Sequence, residues 1–215
     1  MQDQSAAAFV AASQYFVQVV RMVPTSAWAG AGLGDWSLLE LVGHANRAHT
    51  TLEQYLAEQR VPEPAGSDYF SDAAIAQRGR DAVAALGPSP EAAVAAASAR
   101  AIALVASASS EALVWSPLGT ISLASYLPSR TAELVVHGLD VVNALGPGAP
   151  TAVPVPAAPT AVPVPGAPTA VPVPGLALAE SLRFVTERLV DRGAGEAALM
   201  ALAGRGPLPP GVSAY

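Results

Sequence analysis

Few side chains in this protein are able to do chemistry. There is no cysteine, and there are three histidines, His44, His49 and His137. The lack of cysteine excludes disulfides, thiolate metal sites and a cysteine nucleophile. Reactivity must come from histidine, carboxylates, arginine and hydroxyls. Glu133 and His137 stand four residues apart in a segment of helical periodicity, so both project from one face. His44 lies in the middle of another predicted helix. If the two helices face each other, His44, Glu133 and His137 make a two-histidine, one-carboxylate set with open coordination positions. Catalytic zinc uses such a set, as do some iron and nickel sites. Helical bundles build metal sites this way, from inward residues on facing helices. The plain alternative for E-x-x-x-H is a solvated helix pair. His49 lies five residues past His44, about 140° around a helix, and is expected at the surface or against a loop.

A second pattern surrounds that pair. Arg130, Glu133, His137 and Asp140 form one polar stripe on a helix otherwise rich in Leu and Val. A buried polar stripe is costly without partners, so it faces solvent or lines a polar cavity. The apolar surroundings favour the cavity. Arg130 would then hold an anionic group of a substrate or cosubstrate, and Asp140 would orient a metal ligand. The ordinary alternatives are a surface ion pair for Arg130 and an exposed acid at Asp140.

The elements that must position these residues are helices. Apolar spacing predicts an amphipathic helix over 4–22, stopped by Pro24. A Gly/Trp loop (25–36) follows. Ser37 and Glu40 form a capping box that starts a helix running to about Gln59. Ser71 can cap a shorter helix over 72–86, ending at Gly87. Ser89, Pro90 and Glu91 read as a start signal for an Ala-rich helix over 90–108. The stripe-bearing helix begins after Ser122 and closes at Gly146-Pro147; Pro128 should kink it or move its start to Ser129. A final amphipathic helix covers 176–191, with a short one near 196–203. No strand is convincing. The class is therefore all-α, a four-helix bundle with extra short helices. We divide it into a bundle carrying the site (1–147), a linker (148–174), and a C-terminal helix and tail packing on the bundle (175–215).

The linker is a nonapeptide repeat, GAPTAVPVP-AAPTAVPVP-GAPTAVPVP, with nine prolines in 27 residues. Such proline density removes backbone donors and favours polyproline II. Its bland reading is expansion of a short loop in a GC-rich gene. The bias of the whole chain agrees: all 11 basic residues are Arg, with none Lys, and there are 20 Pro and 18 Gly. Many actinobacteria have this bias. The net charge of −6 argues against nucleic acid and against an anionic membrane surface. The apolar stretch 92–108 contains Arg100 and several serines, and is expected to fall short of a membrane span. The N-terminal MQDQSAAAFV lacks a basic start, so a cytoplasmic location is expected.

With these residues in view, three segments resemble a known superfamily. DWSLLELVGHA (35–45) resembles the W-x-x-x-D-L-x-x-H helix of DinB-like metalloenzymes. SRTAELVVHGLDVVNALG (129–146) resembles the R-x-x-E-x-x-x-H-x-x-D helix of its mycothiol-dependent maleylpyruvate isomerase branch. AALMALAGRGPLPPG (197–211) is similar to the L-x-G-R-x-P-L-P tail of the same proteins. The resemblance covers about residues 4–147 and 176–212. It implies a DinB-like bundle in which His44, Glu133 and His137 hold a divalent metal: zinc first, nickel or iron next. It also implies a low-molecular-weight thiol cosubstrate, mycothiol in an actinobacterium. Metal charge would lower the pKa of that thiol, making a nucleophile for a small electrophile such as an unsaturated acid, epoxide or quinone. Thiol S-transfer or thiol-assisted isomerisation follows. The repeat stands where relatives have a short connection, and the chain has no room for the isomerase's separate C-terminal domain. Two rivals remain: metal-dependent hydrolysis of an amide or ester, with His49 or Asp140 as base, and a non-catalytic ligand-binding stress protein. A homodimer is the expected assembly, if any.

Overall fold

The Gly/Trp loop and the capping box together fix where the first site-bearing helix begins. The Ser37 amide and hydroxyl donate to Glu40 Oε2 at 2.8 and 2.7 Å, and the Glu40 amide donates to Ser37 Oγ at 3.3 Å. The loop closes on this start through Gly32 N–H to Trp36 O (2.7 Å) and Leu38 N–H to Gly30 O (2.9 Å). At Gly32 a Cβ would sit 2.6 Å from the Ser37 carbonyl oxygen, so only glycine allows that closure. This is a computed structural model, and it describes residues 2–57, 66, 68–69, 71–117, 119–146 and 171–213.

In chain order the helices are α1 (Gln2–Arg21), α2 (Leu38–Ala57), α3 (Asp72–Val83), α4 (Pro90–Ser107), α5 (Leu123–Leu145), α6 (Gly175–Asp191) and α7 (Gly195–Leu202). Helices α1 and α2 each pack on both α4 and α5, which closes a four-helix bundle. Helix α3 lies on α2, α6 on α5 and α1, and α7 on α6. The core is one cluster around Phe9, Phe16, Leu41, Leu52, Leu127 and Leu134, with a small satellite of Leu189 and Ala198 under α7. The all-α expectation holds.

Several details differ from the sequence reading. A short antiparallel hairpin, β1 (Leu113–Ser116) and β2 (Gly119–Ser122), pairs Leu113 with Ser122 and Ser116 with Gly119. Four residues per strand are too few for alternation to stand out, yet Val114 is fully buried. Ser122 caps α5, accepting from the Ser125 amide at 3.3 Å. The helix therefore starts at Leu123 rather than Ser129 and runs through Pro128, which is buried inside it. Ser71 caps α3 as expected. Ser89 does not cap α4: its side chain makes no cap bond, and Pro90 alone opens the helix. The expected end of α2 near Gln59, and the repeat up to residue 170, lie outside the described residues. Of the repeat's last four residues, Val171 is buried and Val173 packs against the core, so this end of the linker docks.

Helix α4 is the marginal case for the membrane expectation among the described residues. Its 18 residues have a mean hydropathy of 1.2, long and apolar enough to cross a membrane by length and composition alone. Alanine raises that index without needing a core. The helix packs its Val94, Ala97, Ala101 and Val105 side in the bundle, and Arg100 pairs with Glu53 of α2 at 2.9 Å.

Candidate metal centre

Helices α2 and α5 lie side by side, and their facing polar residues meet at one level. His137 Nε2 is 3.2 Å from Glu133 Oε2, and His44 Nε2 is 3.7 Å from the same oxygen. One ligand atom from each of the three residues lies within 4.8 Å of the others. Zinc bonds of about 2.0–2.2 Å in a tetrahedron place neighbouring donors roughly 3.3–3.5 Å apart. The observed spacings bracket that value, so the donor set fits a divalent ion. The three side chains are only partly exposed, at 16%, 22% and 14% for His44, Glu133 and His137.

Each ligand is held differently. His137 Nδ1 lies 2.9 Å from Asp140 Oδ2, so the carboxylate fixes the ring and leaves Nε2 toward the cluster. Burial pushes the His137 pKa down, but hydrogen bonds to Asp140 and Glu133 outweigh it and raise the value to about 9. Burial alone would raise Glu133; hydrogen bonds from His137 and His44 and the charge of Arg130 hold it well below the carboxylate range. His44 has no such carboxylate behind it. Its Nδ1 is buried without a partner among the described residues, and burial, the largest cause, lowers its pKa. Its ring is held by Trp36, with centroids 4.6 Å apart and planes at 36°. Helix α3 presses Trp36 from behind, because a Cβ at Gly79 would lie 2.8 Å from the indole. A neutral imidazole of lowered pKa and an anionic carboxylate are the forms that bind a cation.

Arg130 lies one turn along α5. Its guanidinium carbon stands 4.9 Å from the Tyr126 ring centroid, and its Nε donates to Ser129 Oγ at 3.2 Å. His49 is not a surface residue. It is completely buried, with Nδ1 3.0 Å from Asn46 Oδ1 and with the rings of Phe9 and Phe16 beside it. The angular argument separated it correctly from His44, but the face it occupies is the core. The sequence reading also gave no role to Trp36, which stands within the capping-box segment, or to Tyr15 of α1. Tyr15 packs its ring against Gly138, where a Cβ would lie 2.5 Å from Cε1. Glycine next to His137 thus allows α1 to approach at the level of the ligands.

Residues 9–142 match the family model of the mycothiol maleylpyruvate isomerase N-terminal domain. The chain belongs to this family. The isomerase N-terminal domain family is part of the DinB-like superfamily, and the matched span contains α2 and almost all of α5 with the three clustered residues. The matched span ends before α6 and α7. No curated protein and no solved structure matches the chain significantly.

Proposed function

We propose that this protein is a metal-dependent enzyme that uses a low-molecular-weight thiol, mycothiol in the first instance, for S-transfer to a small electrophile or for its thiol-assisted isomerisation. The observation that carries this reading is the convergence of His44, Glu133 and His137 on one point, with Asp140 behind His137. A bound divalent ion, zinc by donor type, would supply positive charge that lowers a thiol pKa toward neutrality. The chain's own residues do the rest. His44 and His137 present Nε2, and Glu133 offsets cationic charge. Asp140 accepts the Nδ1 proton of His137 and keeps that tautomer. Arg130 offers a cation to an anionic group on a bound molecule. Since the chain has no cysteine, the sulfur has to arrive with a cosubstrate.

Hydrolysis is the weaker reading. It needs a general base with access to the site. His49 is sealed between Phe9 and Phe16, with its pKa pushed down to about 3 by burial. Asp140 is engaged by His137.

The test is metal analysis of tag-free protein beside a Glu133→Ala/His137→Ala variant, followed by turnover assays with and without thiol. About one zinc or nickel per chain, lost in the variant, together with thiol-dependent turnover, is the expected result. Absence of metal after zinc is offered, or full turnover without thiol, overturns the reading.

A further inference from the structure

We propose that the apolar face left open by α6 and α7 is the docking surface for a second copy of this chain, the two copies pairing about a twofold axis. The pairing uses none of the metal-ligand residues.

Helix α6 has two faces that apolar burial treats differently. Ala177, Glu180 and Ser181 are buried, and Glu180 accepts from Ser5 Oγ of α1 at 2.9 Å, which fixes this side on the bundle. A second stripe runs through Leu178, Leu182, Val185 and Leu189, at helical spacings of four, three and four. Helix α7 covers only the C-terminal half of that stripe. Leu189 and Ala198 are buried together, with Val185 packed against them. Leu178 and Leu182 stay exposed, and so do Leu199 and Leu202, one turn apart on α7 beside Ala198. All four stand within about two helical turns of one crossing. Of the twelve large apolar side chains exposed among the described residues, eight lie in α6, α7 and the tail after them. Apolar exposure concentrated in this way marks an interaction surface, whereas single scattered residues do not.

Charge and area both point to a second copy as the occupant. Residues 175–215 carry four acids and four arginines, while residues 1–174 carry thirteen acids and seven arginines. The whole net charge of −6 therefore lies outside the C-terminal segment. Two copies repel each other where acidic surface meets acidic surface, and the neutral segment carrying the open leucines is where they approach without that cost. Within it Arg183 is already paired with Glu180 and Glu187, so a strongly charged partner gains little there. The open parts of Leu178, Leu182, Leu199 and Leu202 come to roughly 400 Å². An interface is a little over half apolar, so such a centre with its polar rim amounts to about 800 Å² on each copy, the area a stable pair buries. A twofold pairing sets the same patch against itself, which a neutral apolar face permits.

Sedimentation velocity of the full chain, from about 1 to about 100 μM, measures the pairing. A concentration-dependent equilibrium between monomer and dimer is expected. Added salt should shift it toward the dimer, because it screens the acidic remainder and leaves the apolar contact in place. Leu199→Glu/Leu202→Glu and, separately, Leu182→Glu are expected to sediment as monomers throughout, with circular dichroism unchanged because these side chains are exposed. Leu113→Glu/Ile121→Glu alters exposed apolar residues of the hairpin and is expected to pair as the wild type does. A wild type that stays monomeric over the whole range, or a dimer that survives both the α6 and the α7 variants, overturns the proposal. A wild type that is monomeric and pairs only after residues 148–165 are deleted assigns the face to the chain's own repeat, which overturns it as well. Loss of the dimer in the hairpin variant moves the interface away from α6 and α7 and has the same consequence.

Discussion

At the scale of single residues, the site depends on what stands behind each ligand. Asp140 holds His137 through Nδ1 at 2.9 Å, and loss of such a partner typically weakens metal affinity 10–100-fold. Asp140→Asn is expected to raise the zinc dissociation constant by that factor in a chelator competition, while circular dichroism stays unchanged. His49 carries a different consequence. Burial pushes its folded pKa down to about 3, from the 6.5 of an ordinary histidine. A depressed histidine contributes stability that is present above the unfolded pKa and is lost as pH falls through the window toward the folded one. From pH 6.5 down toward 3, this residue alone is expected to remove about 1.4 kcal/mol per pH unit. Urea denaturation at several pH values checks this. In His49→Gln the slope should fall by about one proton, whatever the variant's stability at pH 7. Helical spacing was enough to pair Glu133 with His137 and to separate His49 from His44. It could not tell which face is core, since a histidine between two phenylalanines looks in sequence like any polar residue on a helix.

At the scale of elements, two close approaches set the relative placement of the ligand-bearing helices. Gly79 lets α3 press Trp36 onto His44, and Gly138 lets Tyr15 of α1 lie against α5 one residue from His137. A methyl group at 138 would meet Tyr15 Cε1 at 2.5 Å, and overpacking of this kind costs about 1–3 kcal/mol. Gly138→Ala is expected to lose that much stability in urea and to bind zinc more weakly. A Tyr15→Leu/Gly138→Ala double variant should recover part of both; failure to recover either would mean that the clash is relieved elsewhere. Helix starts were readable where the signal is chemical. Ser37 with Glu40, Ser71 and Ser122 cap as their types suggest. Ser89 has the same type and no cap bond, because a cap also needs its backbone to point the hydroxyl at a free amide, and sequence does not state that torsion.

At the scale of the whole molecule, a metal ion held by His44, Glu133 and His137 would tie α2 to α5 across the bundle, so its binding would be coupled to folding. A ligand that binds only the folded state at 100 times its dissociation constant adds about 2.7 kcal/mol. For a chain of this size that corresponds to a rise of roughly 5–10 °C in Tm. Zinc is expected to give such a rise in scanning calorimetry, and the Glu133→Ala/His137→Ala variant to give none. The exchange of apolar for polar surface along α6 and α7 is less complete. Leu178, Leu182, Leu199 and Leu202 are exposed, and the family match ends before these helices.

The sequence by itself determined the helical class, the order of the helices, most of their caps and the identity of three ligand-type residues, because periodicity and capping are local and each residue's chemistry is intrinsic. Tertiary structure alone decided that α2 and α5 run antiparallel with His44 level with Glu133, that Trp36 stands behind His44, and that His49 is core. Those facts depend on the register between segments some ninety residues apart. Register is set by how whole helix faces pack together, and no local pattern encodes it.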